Sequence, residues 1–232
     1  GGDEMIAITC NKDTACKSEE QGKIDLFKRM RPGEVPTTEG ANILINNLFY
    51  DGKKYELGRV GRYKYNKKLA LATRIAGNVA AEDVVNEDGE ILVAKGEKIS
   101  LETANKIQNS GINVVYLAYT DEDGTARSFK CIGNNTVDLD AFVNVNPREI
   151  GVLEKVYYPE LKALMDEITD EKELILAIQA DLDKLVYKHI TLDDIVSTVS
   201  YNLGLRYGFG TSNSIRGYPI VCGIPLRRRH LL

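Results

Sequence analysis

The sequence predicts an α+β protein, mainly helical, with a small β-rich module set between two helical stretches. Three patterns in its 232 residues carry that reading. Apolar residues recur at helical spacing through residues 18–50 and again through 158–203. Between them, across 77–147, short β-branched and aromatic runs alternate with turn residues. No apolar run approaches the roughly 20 residues that a membrane helix needs, so a membrane partner is not expected.

Ser18 stands where it can cap a helix running to Met30, with Ile24 and Phe27 on one face. Arg31-Pro32-Gly33 closes that helix, because a proline drives the residue before it out of helical angles and glycine accepts turn angles. Thr37 and Thr38 can cap a second helix, with Ile43, Leu44, Asn47 and Leu48 sharing a face. Asp51-Gly52 then turns the chain. Over 55–71 the pattern loosens, and Tyr63-Lys64-Tyr65 permits a short strand with aromatics on one side and charge on the other.

Val84-Val85 and Ile91-Leu92-Val93, joined through Asn86-Glu87-Asp88-Gly89, read as a hairpin. Ser100 can cap the helix LETANKIQNS, which Gly111 ends. Residues 112–119 and, past the Asp123-Gly124 turn, ARSFKCIG read as strands. In the next stretch Leu161, Leu164, Met165 and Ile168 line one face of a helix. Asp170 and Glu173 have capping-box spacing and open EKELILAIQADLDKLVYKHI, expected as one helix with Leu174, Ile178, Leu182 and Leu185 buried. Thr191 and Asp194 cap LDDIVSTVSYNLG, with Ile195, Val199 and Leu203 expected inward and Gly204 as the stop.

The resulting organisation is a variable lead-in (1–17), a helical segment with a basic-aromatic run (18–76), the β-rich module (77–147), a second helical segment (148–210) and a tail (211–232). The tail has no period, two prolines and three consecutive arginines, and reads as a vector-encoded or out-of-frame extension.

With 43% hydrophobic and 28% charged residues, the composition is that of an ordinary globular protein. The first residues are acidic and lack an apolar core, so they do not read as a signal peptide. The missing initiator methionine reads as an internal fragment or an engineered piece. Four cysteines without a CxxC spacing, and two distant histidines, do not make a zinc site and read as free thiols in a reducing, cytoplasmic setting. The acid-rich stretch 159–183 reads as a solvated face.

One local feature departs from this ordinary background. Residues 51–68 contain Lys53, Lys54, Arg59, Arg62, Lys64, Lys67 and Lys68 against Asp51 and Glu56, within a chain of net charge −4. Interleaved with Tyr55, Tyr63 and Tyr65, these cations describe either a solvated face or a surface that meets nucleic-acid phosphates. Arg59, Arg62, Lys64, Lys67 and Lys68 are the candidate contacts, and the pattern alone does not choose between the two readings. No phosphate-binding GxxxxGK[ST], HExxH or GxSxG motif is present, so no self-contained active site is legible. A binding or structural role is the better reading. The alternatives are an independent nucleic-acid-binding or protein-interaction module, and an enzyme using Cys131 or Cys222 with His189.

The stretch DLFKRMRPGEVPTTEGANILINNLFYDGKKYELGRVGRYKYNKKL resembles a segment of the bacterial DNA-directed RNA polymerase β subunit. Arg29, Arg31, Pro32, Gly33, Glu34, Pro36 and Thr37 match the first block of that family's pattern. Asn47, Leu48 and Phe49 match the second, and Tyr55, Leu57, Val60, Gly61, Arg62, Lys64, Asn66, Lys67, Lys68 and Leu69 the last. AAEDVVNEDGEILVAKGEKIS resembles the small insertion of Firmicutes-type β subunits, and HITLDDIVSTVSYNLGLRYGFG the helix after it. The likeness covers roughly residues 18–210 and breaks where the family continues toward its fork region. The resemblance implies the end of a helical lobe beside the DNA cleft, with DNA and the β′, α and σ subunits as partners. It implies no cofactor in this segment, because the magnesium of nucleotidyl transfer is held by aspartates of β′.

Overall fold

A computed structural model describes residues 4–14, 16–121, 123–209 and 227–228. The chain divides into two units, 1–56 with 226–232, and 57–225. The expected helices and strands assemble as an α+β fold with small antiparallel sheets.

In the first unit, α1 (Glu4–Lys12) precedes α2 (Glu19–Met30) and α3 (Thr38–Ile45). Ser18 Oγ accepts the Gln21 N–H and Thr37 Oγ1 the Gly40 N–H, the two caps expected from the sequence. Among the described residues, Phe27 and Ala41 are its buried apolar residues, whereas Ile43, expected on the inner face, is exposed. A π-helical turn, Asn46–Tyr50, leads to strand β1 (Tyr55–Glu56), which pairs antiparallel with β8 (Arg227–Arg228), the last strand among the described residues. Apart from that pair, the residues of the tail lie outside the described ones.

The second unit opens with α4 (Gly58–Leu69) and α5 (Leu71–Ile75). The hairpin of β2 (Val84–Val85) and β3 (Ile91–Val93) follows, then α6 (Leu101–Gln108) under its Ser100 cap. A longer hairpin joins β4 (Val114–Thr120) to β5 (Ala126–Ile132), in register from Val114 with Ile132 to Thr120 with Ala126. Strand β6 (Thr136–Val137) pairs with β7 (Val156–Tyr157). Helices α7 (Tyr158–Glu167), α8 (Glu171–Ala180), α9 (Leu182–Leu185) and α10 (Leu192–Arg206) complete it.

Two apolar cores result. The first gathers Ile99, Ile107, Val115, Leu117 and Phe129 of the β-rich module, but is completed from outside it by Leu71, Ala72 and Ile75 of α5 and by Phe209 after α10. Phe209 stacks on Phe129 at 5.2 Å and meets Tyr119 edge-on at 5.8 Å. Gly204 does not end α10. It lets the helix approach Phe129, whose ring would lie 3.3 Å from a Cβ at that position. The second core joins Val137, Leu139, Val143 and Val156 to Leu161, Leu174, Ile178 and Leu185.

Three sequence expectations are corrected here. Residues 63–65 lie in a helix, because Gly61, Arg62, Tyr65, Asn66 and Leu69 are its buried face; two of those five are polar, so the apolar period was hidden. The single helix expected after Asp170 breaks at Asp181 into α8 and α9. The buried face of α10 is Asp194, Ser197, Ser200, Tyr201 and Gly204; of the residues expected inward, Leu203 packs against the first core, Ile195 is half-buried and Val199 is exposed.

Between the second core and the start of α10 sit two hydrogen-bonded phenols. Tyr157 donates to Asp193 at 2.5 Å and Tyr187 to Glu160 at 3.2 Å, with their rings 5.0 Å apart. Burial first, and the Asp193 bond second, push the Tyr157 phenol upward; burial and Glu160 push Tyr187 up to about 12. Because the folded values are raised, the stability these neutral phenols contribute is complete below the unfolded value of about 10 and is lost as pH rises through the folded values. In an ultraviolet phenolate titration, Tyr157→Phe and Tyr187→Phe should each remove part of a late-titrating phase. A phase unchanged by either substitution would show that these phenols ionise like exposed ones.

Candidate nucleic-acid interface

Helix α4 sorts the basic run by period. Its twelve residues, GRVGRYKYNKKL, contain no acid. Arg59, Val60, Tyr63, Lys64 and Lys67 face outward and Lys68 is half-buried, while Arg62 is 5% exposed. Lys67 Nζ lies 5.9 Å from the Tyr63 ring centre, within cation–π range. No carboxylate among the described residues forms an ion pair with Arg59, Lys64, Lys67 or Lys68. Their charge is therefore directed at solvent or at a partner.

Arg62 is different, and the expectation that it contacts phosphate is corrected. Its Nη1 donates to both oxygens of Asp194 at 2.9 and 2.8 Å, its Nε donates to the Tyr187 carbonyl at 2.8 Å, and its Nη2 donates to the His189 carbonyl. Asp194, 1% exposed, also accepts the Thr191 N–H at 3.0 Å and Asn134 Nδ2 at 3.3 Å, and closes the capping box of α10. The guanidinium is thus a bolt between α4, the 187–189 backbone and the start of α10, with its donors turned away from the surface. One helical turn past α4, Arg74 repeats the arrangement with neutral acceptors. It donates to the Ile132 carbonyl, to the Ser197 carbonyl at 3.4 Å and to Ser200 Oγ at 2.9 Å. Burial depresses the Arg74 guanidinium from its ordinary value. These two arginines are why the inner face of α10 is polar.

Beside the outer face of α4 lies a cleft of about 510 Å³, lined by Tyr63, Asn66 and Lys67 and by residues of the 138–155 stretch. Its cations Lys67, Arg148 and Lys155 are matched by Asp138, Asp140 and Glu154, and Lys155 pairs with Asp138 at 2.6 Å. Burial pushes the Glu154 carboxyl up, with Arg59 and Arg62 opposing. Asn66 accepts from Asn134 at 3.1 Å, and its own Nδ2 is a buried donor with no acceptor among the described residues. The cleft is electrically balanced. Outside the cleft, the exposed side of α4 carries Arg59 and Lys64, with Lys68 half-buried beside them, and no acid.

The sequence signalled the three outward cations and half-buried Lys68 through local charge. It carried no sign of Asp194 as the partner of Arg62, 132 residues away, or of Arg148 and Lys155 opposite Lys67. Among the described residues, no helix is long and apolar enough to cross a membrane.

No protein-family model matches the chain. It is similar to the DNA-directed RNA polymerase subunit beta of Clostridioides difficile (strain 630), with 44% identity over 216 residues. The corresponding proteins of Clostridium acetobutylicum and Clostridium novyi (strain NT) are each 46% identical over 216 residues. Each comparison covers 93% of this chain and 17% of the relative, so the chain spans about a sixth of the length of the proteins it matches.

Proposed function

We propose, for a chain homologous over 93% of its length to a segment of bacterial DNA-directed RNA polymerase β subunits, that it is a structural, nucleic-acid-clamping part of that subunit without an active site of its own. The observation that carries this is the acid-free helix α4, which turns Arg59, Lys64 and Lys67 outward, with Lys68 half-buried beside them. Such a face attracts the phosphate backbone through counterion release and has no means of choosing a sequence. Its partners in this reading are DNA and the polymerase subunits β′, α and σ, in the cytoplasm. Magnesium and the nucleotidyl transfer it supports belong to β′, and this segment supplies rigidity and positive charge beside the duplex.

The test is a polymerase whose β subunit carries this segment in place of the matching one of the Clostridioides difficile protein. Lys64→Ala with Lys67→Ala should make the slope of log affinity against log salt on duplex DNA shallower by about 2. The open complex should also be shorter-lived. An unchanged slope together with an unchanged lifetime would mean that the outer face of α4 is only solvated.

A further inference from the structure

Helix α10 is packed with its polar side inward. Asp194, Ser197, Ser200 and Tyr201 face the interior, where they receive Arg62 and Arg74. Three aliphatic residues are on the opposite side: Leu192 is 65% exposed, Val196 38% and Val199 52%, at i, i+4 and i+7, with half-buried Ile195 beside them, whereas Leu203 further along packs against the first core. Three exposed aliphatics at this spacing form one continuous stripe over two turns, with no charge between Leu192 and Arg206 on that face. Scattered exposed apolar residues need no explanation, but an ordered stripe on a helix does.

We infer that this stripe is a docking face for another part of the same β-subunit polypeptide. The inference rests on the family relationship and is independent of the nucleic-acid reading of α4. The matched relatives are several times longer than this chain, which covers 17% of each, so the greater part of a β polypeptide is available to cover the face. An uncharged aliphatic stripe offers phosphate nothing to bind, so nucleic acid is a poor occupant. Its complement is an aliphatic protein surface without charge, packed as in a domain core.

Carbene footprinting of Leu192, Val196 and Val199 tests this in three samples: the 232-residue chain, the full-length hybrid β polypeptide described above, and the polymerase assembled from it. Labelling should be strong in the chain and fall several-fold in the β polypeptide alone. Val199→Glu should leave the unfolding temperature of the chain nearly unchanged and lower that of the β polypeptide, because only there would a charge be buried. Protection that appears only on assembly with the other subunits would overturn the assignment in favour of a different subunit. Protection already present in the chain would also overturn it, in favour of a second copy if it depends on concentration and of an internal contact if it does not. A hybrid that fails to assemble into polymerase would refute the family reading and this inference together. A hybrid that assembles with the stripe still labelled would refute this inference alone.

Discussion

Arg62→Ala is expected to lower the unfolding free energy of the chain by about 3–5 kcal/mol, the usual cost of stranding one partner of a buried ion pair. Asp194 would remain inside, 1% exposed, with Thr191 and Asn134 as its remaining donors. The Tyr187 and His189 carbonyls would also lose their acceptor role toward the guanidinium. Against a total stability of about 5–15 kcal/mol for a domain, such a loss is severe. Urea unfolding measures it, with Lys64→Ala and Lys67→Ala as surface controls expected within about 0.5 kcal/mol of the parent. Removing both charges, in Arg62→Met with Asp194→Leu, should cost less than the two single changes added together, because no unpaired ion is left. A loss as small as that of the lysine controls would mean that Arg62 is not the bolt that the geometry describes.

Phe209→Ala is the second substitution with a large expected effect, about 3–5 kcal/mol. Phe209 is 8% exposed, and its ring closes the first core against Phe129 and Tyr119. Truncation leaves a cavity whose walls belong to β4, β5 and the end of α10, so collapse would have to move a hairpin and a helix together. Amide exchange should therefore quicken in β4 and β5, far from Phe209 in sequence. Exchange that quickened only near residue 209 would show that the β-rich module holds its core without this ring.

Residues near one another in the chain made much of this protein legible beforehand. The caps at Ser18, Thr37, Ser100 and Thr191 were readable because a side-chain oxygen reaches only the N–H groups of the next turn. Both hairpins followed from turn residues between β-branched runs, and the local charge of the α4 stretch followed from counting. The family relationship was legible for a related reason, since it rests on ordered blocks of residues and needs no coordinates.

Tertiary structure alone decided which of these residues face inward. Apolar period identified an aliphatic stripe on α10 but not its direction, because a helix buries whichever face its neighbours complement. Here those neighbours bring two guanidiniums, Arg62 and Arg74, and the complement of a buried cation is a carboxylate, a hydroxyl or a carbonyl. The polar side of α10 therefore turned in, and Leu192, Val196 and Val199 turned out. The same pairing divided the five cations of α4 into one buried bolt and four outward or half-buried ones. No local pattern could have made that division, because the partner of Arg62 is 132 residues away.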